Sequence, residues 1–169
     1  VELTLHNILW APYLWSGVFG TWGLGWLDTP MPLIVPALSL GSLLLIVVTG
    51  LRYLSLRHWV AIAFPACALL ALPTIVLVQS DAVIGVLVQP RYIYPLVLII
   101  TGLLLFGYVS KAKRPASWQV ASSLLMLTVA NAVALHQNME RYVVGLNNKV
   151  WNLDEVASWW WNGIPGPTT

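Results

Sequence analysis

Charge is what this sequence has least of. Only 8% of its 169 residues are Asp, Glu, Lys or Arg, against about a quarter in soluble domains, too few to cover a water-facing surface. Much of the chain therefore needs lipid as its solvent, in keeping with 59% hydrophobic content and a mean hydropathy of +0.79. Cysteine is nearly missing. Cys67 stands alone in an apolar run, so an internal disulfide is excluded and the redox compartment cannot be read. Asp, Glu and Lys are absent from the long apolar stretches, which argues against a proton relay through the membrane. There is no Walker loop, nucleophile elbow, CxxC pair or dinucleotide fingerprint, and His6, His58 and His136 lack metal-ligand spacing. No metal, cofactor or nucleic-acid partner is expected, and the catalytic residues, if the protein is an enzyme, stay unassigned. The chain opens at Val1 with neither Met nor a basic region before a short apolar core, a start that points to a fragment or processed chain with segments upstream.

What is present is long apolar runs. A spanning helix needs roughly 20 mostly apolar residues, set by a hydrocarbon core about 30 Å thick and a rise of about 1.5 Å per residue. Residues 31–50, 59–78 and 92–109 meet this without a charge, and 118–136 does so with more polar content. No alternating pattern suggests a barrel, and helices satisfy their own backbone in lipid. The expected fold is an all-α, polytopic transmembrane bundle of about four spans forming one unit. Pro32 and Pro36 sit where a first helical turn tolerates them. Pro65 and Pro73 lie inside the second span and should bend it, with neighbouring groups taking up the freed carbonyls.

The few charges are sorted. Arg52 and Arg57 lie between the first two spans, and Lys111, Lys113 and Arg114 between the last two, with no acid in either loop. Glu2, Asp28, Asp81, Glu140, Asp154 and Glu155 all fall in the segments at the other ends. Short loops rich in Lys and Arg stay in the cytoplasm, so both termini are expected on the non-cytoplasmic side. Residues 6–25 are aromatic and Gly-rich with an internal Pro12. They read as an interfacial or re-entrant segment on that outer side, with a fifth span as the alternative. Beyond His136, Trp151 and Trp159 to Trp161 are expected at headgroup level, and residues 163–169 as an unfolded end.

Two places could carry chemistry. In Gln89-Pro90-Arg91-Tyr92-Ile93-Tyr94-Pro95, Arg91 opens the third span on the outer side. Free N–H groups, the helix dipole and a guanidinium together suit a phosphate, and Tyr92 and Tyr94 could donate to it or stack on a sugar. The plainer reading has Arg91 snorkelling to lipid headgroups or pairing with Asp81. Asp28, just before Thr29-Pro30, could be a base or a metal ligand, but an Asp or Thr ahead of Pro also caps a helix start. Asn131 in the last span most simply hydrogen-bonds a neighbouring helix.

The run Phe19-Gly20-Thr21-Trp22-Gly23-Leu24-Gly25-Trp26-Leu27-Asp28-Thr29-Pro30-Met31-Pro32, followed at the right interval by Gln89-Pro90-Arg91-Tyr92-Ile93-Tyr94-Pro95, resembles a family of bacterial multi-pass membrane proteins of unknown function related to the GT-C glycosyltransferases. The likeness extends over most of the chain up to His136. Pro90 stands where that family usually has Gly, which removes one N–H beside Arg91. The resemblance implies the C-terminal portion of an enzyme that moves a sugar from a polyprenyl-phosphate donor to a cell-envelope glycan. Arg91 would bind the donor phosphate, Tyr92 and Tyr94 would line the site, Asp28 would stand nearby, and the catalytic acid would lie upstream of this chain. The alternative is a non-enzymatic scaffold or accessory subunit whose partners are membrane lipids and other membrane subunits. A small transporter lacks support, for no unwound polar segment recurs in two matching halves.

Overall fold

The computed structural model describes residues 1–23, 28–110, 114–145 and 150–153. Its elements are all helices: α1 (Glu2–Gly17), α2 (Ile34–Leu51), α3 (Leu56–Gln79), α4 (Pro90–Ser110) and α5 (Ser117–Val143). The last four are long and apolar enough to cross a membrane. Helix α2 packs on α5 and α4, α3 packs on α4, and α1 packs on α3 and α4.

Local chemistry explains where each helix starts. Ser55 opens α3 with its Oγ 2.6 Å from His58 Nδ1, and Gln119 Oε1 accepts the Ala116 N–H at the start of α5. Pro90 is the first residue of α4, the position where a missing N–H costs least. The expected first span begins later than residue 31, at Ile34. Pro30 and Pro32 hold the approach out of the helical region, because a proline disfavours α geometry in the residue before it. At the other extreme, α5 continues past His136 to Val143. Arg141 in the last turn complements the dipole, and Gly145, at φ +97°, ends it with its N–H directed to the Glu140 carbonyl.

The bundle has two distinct ends. At one, the loop after α2 lies against the end of α4: Leu54 and Tyr53 crowd Gly107, and the His58 and Phe106 rings are 5.8 Å apart. Arg52, Arg57 and Arg114 belong to this basic end, while Lys111 and Lys113 lie outside the described residues. The opposite, acidic end gathers the loop between α3 and α4, the end of α5 and both flanks of the N-terminal segment. Asn7 binds the α3–α4 loop, and Asp28 binds Arg141. Both ends of the N-terminal segment therefore lie on one side of the bundle, so α1 is not a fifth crossing.

Helix α1 does more than rest on the surface. Its stripe Asn7, Ala11 and Leu14 is buried, at the i, i+4, i+7 spacing of one helical face. Leu14 joins Leu69, Leu77, Val88 and Ile93 in the core cluster. Further along, the Trp15 Nε1 donates to the Leu69 carbonyl at 3.2 Å. That carbonyl is the one Pro73 releases, since proline has no N–H to return to the residue four before it. The carbonyl freed by Pro73 in the second span is thus taken up by an indole from α1. Residue 17 must be small, because a Cβ there would overlap Pro90 Cγ and stand 2.8 Å from Trp22 Cδ1. The start of α4 and the end of α1 are locked together at that contact.

Candidate functional site

The start of α4 is the product of three anchors. Val88 and Ile93 are buried in the core on either side of it. The Asn7 side chain, itself fully buried, donates Nδ2–H to the Ala82 carbonyl at 3.0 Å and accepts the Ile84 N–H on Oδ1 at 3.1 Å. The turn it holds is tight. Asp81 sits at φ 50° and Gly85 at φ +106°, and the Ala82 N–H closes on the Leu77 carbonyl. With Ile93 turned into the core, its neighbours Arg91, Tyr92 and Tyr94 are exposed.

Arg91 places its guanidinium 5.4 Å from the centre of the Tyr92 ring, a cation–π arrangement that holds the group without neutralising it. It has no carboxylate partner among the described residues. The suggested pairing with Asp81 is not formed, and the ion pair present joins Asp28 to Arg141 instead. Tyr94 stands one turn further along α4, on the same side as Arg91 by its i, i+3 spacing, and lines a cleft between α2, α4 and α5.

Asp28 goes elsewhere. The N-terminal cap expected of it does not form, because α2 starts at Ile34 behind two prolines and its N-cap, Leu33, carries no capping side chain. Its carboxylate meets the Arg141 guanidinium at 2.5 Å, with the Thr29 hydroxyl at 3.4 Å. Beside it, the buried Glu140 accepts from Gln137 Nε2 at 2.6 Å and from the Val150 N–H at 2.7 Å. The Trp151 ring is tilted against that of His136, with centres 5.3 Å apart, and Trp151 is widely exposed. Trp159 to Trp161 lie outside the described residues. This corner ties residues 28–29 and 150–153 to the end of α5. Among the described residues no hydrogen bond or ion pair joins it to Arg91.

Sequence reasoning named Arg91, Tyr92 and Tyr94 and missed Asn7, Glu140 and Arg141. For Asn7 a signal was there: it occupies the first position of an otherwise apolar stripe with Ala11 and Leu14. For the other two there was none, since pairing of Asp28 with a residue 113 positions away is a matter of tertiary placement. Reversing one charge, Asp28→Arg or Arg141→Asp, is expected to lower the unfolding midpoint in detergent by the equivalent of about 1 kcal/mol. The double reversal should recover most of it. Additive losses in the double variant would show that the pair carries no coupling.

Among the described residues no cluster of three or more His, Cys, Asp or Glu side chains forms. A family model described as a predicted membrane protein, DUF2142, matches residues 1–100. No curated protein and no solved structure matches the chain.

Proposed function

The chain belongs to the DUF2142 family of predicted membrane proteins, and from that premise we propose that it is the carrier-binding part of a GT-C-like membrane glycosyltransferase, which grips the phosphate of a polyprenyl-phosphate sugar and serves cell-envelope glycans. In this reading the acidic end of the bundle faces away from the cytoplasm, because Arg52, Arg57 and Arg114 sit at the opposite end and short cationic loops are retained inside. The membrane is a bacterial cytoplasmic one, and the catalytic acid comes from a part of the protein outside these residues.

One observation carries the proposal. Of the two arginines described at the acidic end, Arg141 is neutralised by Asp28, whereas Arg91 is exposed, has no carboxylate partner among the described residues, and is fixed at the first turn of α4. A free guanidinium beside a helix N-terminus is suited to a phosphate gripped through two parallel hydrogen bonds. Tyr92 and Tyr94 add hydroxyls and ring faces within one turn. Asp28 is occupied by Arg141, so it takes no part in holding the carrier and serves to set the corner beside the site.

The test compares polyprenyl phosphate with the uncharged polyprenol, each titrated into the protein in lipid nanodiscs. The phosphate form should bind at least about tenfold more tightly, the share of a charge-assisted contact. Equal binding of the two would remove the proposal. A second reading, an accessory subunit that packs in a larger membrane complex, is favoured by α5. It is the least buried of the four long helices, 6% against 22–33%, and leaves Leu124, Leu125 and Leu135 exposed. A stoichiometric membrane partner retained in mild detergent would support it.

A further inference from the structure

The basic end of the bundle carries cations with no acid beside them. Arg52, Arg57 and Arg114 are all exposed, and neither loop at that end contains an Asp or Glu. Among the described residues none of the three arginines forms an ion pair or a hydrogen bond. Cations at the end of a spanning bundle attract anionic headgroups, but that attraction is spread over the whole rim. A site needs a second feature, and two of the three arginines have one.

That feature is a cleft of about 200 Å³ between α2, α4 and α5, lined on α2 by Leu45, Ile46 and Thr49. Arg52 caps α2 with its own backbone still helical. It therefore continues the face of Leu45 and Thr49 at the i+7 and i+3 positions. Across the cleft Pro115 lines the wall, and Arg114 is the residue before it. Two exposed arginines thus flank one mouth. Below them the wall is apolar, with Leu105, Val120, Leu124 and Leu127. The Thr49 hydroxyl is closed on the Leu45 and Ile46 carbonyls, and Gln119 Oε1 accepts the Ala116 N–H. Val120 and Leu124 are exposed, so the cleft meets the flank of the bundle, where lipid lies. Arg57 is placed differently. It stands at the start of α3, whose contacts are chiefly with α4 and α1.

We infer that this mouth seats one anionic phospholipid, its phosphate held between Arg52 and Arg114 and one acyl chain laid into the cleft along Ile46 and Leu127. An anionic head joined to a hydrocarbon tail complements two cations set above an apolar slot. A soluble phosphate would leave the slot empty, and a zwitterionic lipid would bring a cation of its own toward the arginines. The site lies at the opposite end of the bundle from Arg91, so the inference goes beyond the proposed function without resting on it.

The experiment uses the whole chain, delipidated in detergent and offered phosphatidylglycerol or phosphatidylcholine with identical acyl chains. Bound lipid is counted by native mass spectrometry. The wild type should retain phosphatidylglycerol over phosphatidylcholine by about twentyfold, about fivefold for each arginine. Arg52→Gln and Arg114→Gln should each lower that ratio about fivefold, and Arg57→Gln by less than about twofold. Glycerophosphoglycerol, the same head without acyl chains, should not displace the lipid. Val120→Phe and Ser123→Phe narrow the cleft from two positions and should each reduce retention of both lipids while the unfolding midpoint stays at the wild-type value. Equal losses at all three arginines would mean diffuse attraction only and would overturn the inference. So would equal retention of the two lipids by the wild type, displacement by glycerophosphoglycerol, or full retention in a folded phenylalanine variant.

Discussion

Arg91→Ala is expected to weaken polyprenyl phosphate binding by about ten- to a hundredfold, the range for a hydrogen bond to a charged group, while leaving polyprenol binding unchanged. The reason lies in how few other donors the site has. Pro90 contributes no N–H to the first turn of α4, so the backbone cradle is one donor short and the side chain carries more of the anion. Arg91→Lys should recover only part of the loss, since an ammonium supplies the charge without the planar fork that meets two phosphate oxygens at once. Tyr92→Phe keeps the ring under the guanidinium and should cost far less than loss of the cation. If Arg91→Ala bound the phosphate as well as the wild type, the anion site would have to be placed elsewhere.

The second large effect is expected at a residue that touches no ligand. Asn7→Leu removes both of the Asn7 hydrogen bonds to the α3–α4 turn and leaves the Ala82 carbonyl and Ile84 N–H, both on half-buried residues, without that partner. A fully buried group would cost about 1–3 kcal/mol, so a loss of about 1–3 kcal/mol in all is anticipated for the half-buried pair, read as a lower unfolding midpoint in detergent. Because this turn delivers Pro90 and Arg91, carrier affinity should fall as well. His6→Leu, one residue away on the exposed face where the imidazole stacks on Trp10, should change neither. An Asn7→Leu protein with wild-type stability would mean that α1 does not brace the turn.

The parts of this architecture that could be read in the sequence are those dictated by solvent. Apolar length located α2, α3, α4 and α5 to within a few residues at most boundaries, because the bilayer sets both the length and the composition of a crossing. The errors fell where backbone chemistry, not hydropathy, sets the end. Helix α5 outlasts its apolar stretch, since Gly145 and not His136 is where the backbone turns. Helix α2 starts late, since Pro30 and Pro32 govern the approach. Asp28 followed from that second error. With no helix beginning behind it, its carboxylate has no N–H groups to cap and pairs with Arg141 across the fold. The freed carbonyl in α3 was legible in Pro73, but the indole that takes it up comes from Trp15, a partner fixed only once α1 docks. Arg91, Tyr92 and Tyr94 were legible as a cluster because they are consecutive on one helix start. Asn7 was legible only as an oddity in an apolar stripe, since the loop it holds lies 75 residues away.

The proposed function puts the acidic end, with Arg91, on the non-cytoplasmic side. Single cysteines placed at positions 52 and 91 in a Cys67→Ser background, challenged in intact cells with a membrane-impermeant maleimide, test that assignment directly. Position 91 should label at once and position 52 only after the membrane is opened. Labelling of both from the same side, or of position 52 alone in intact cells, would contradict the account and take the carrier site with it.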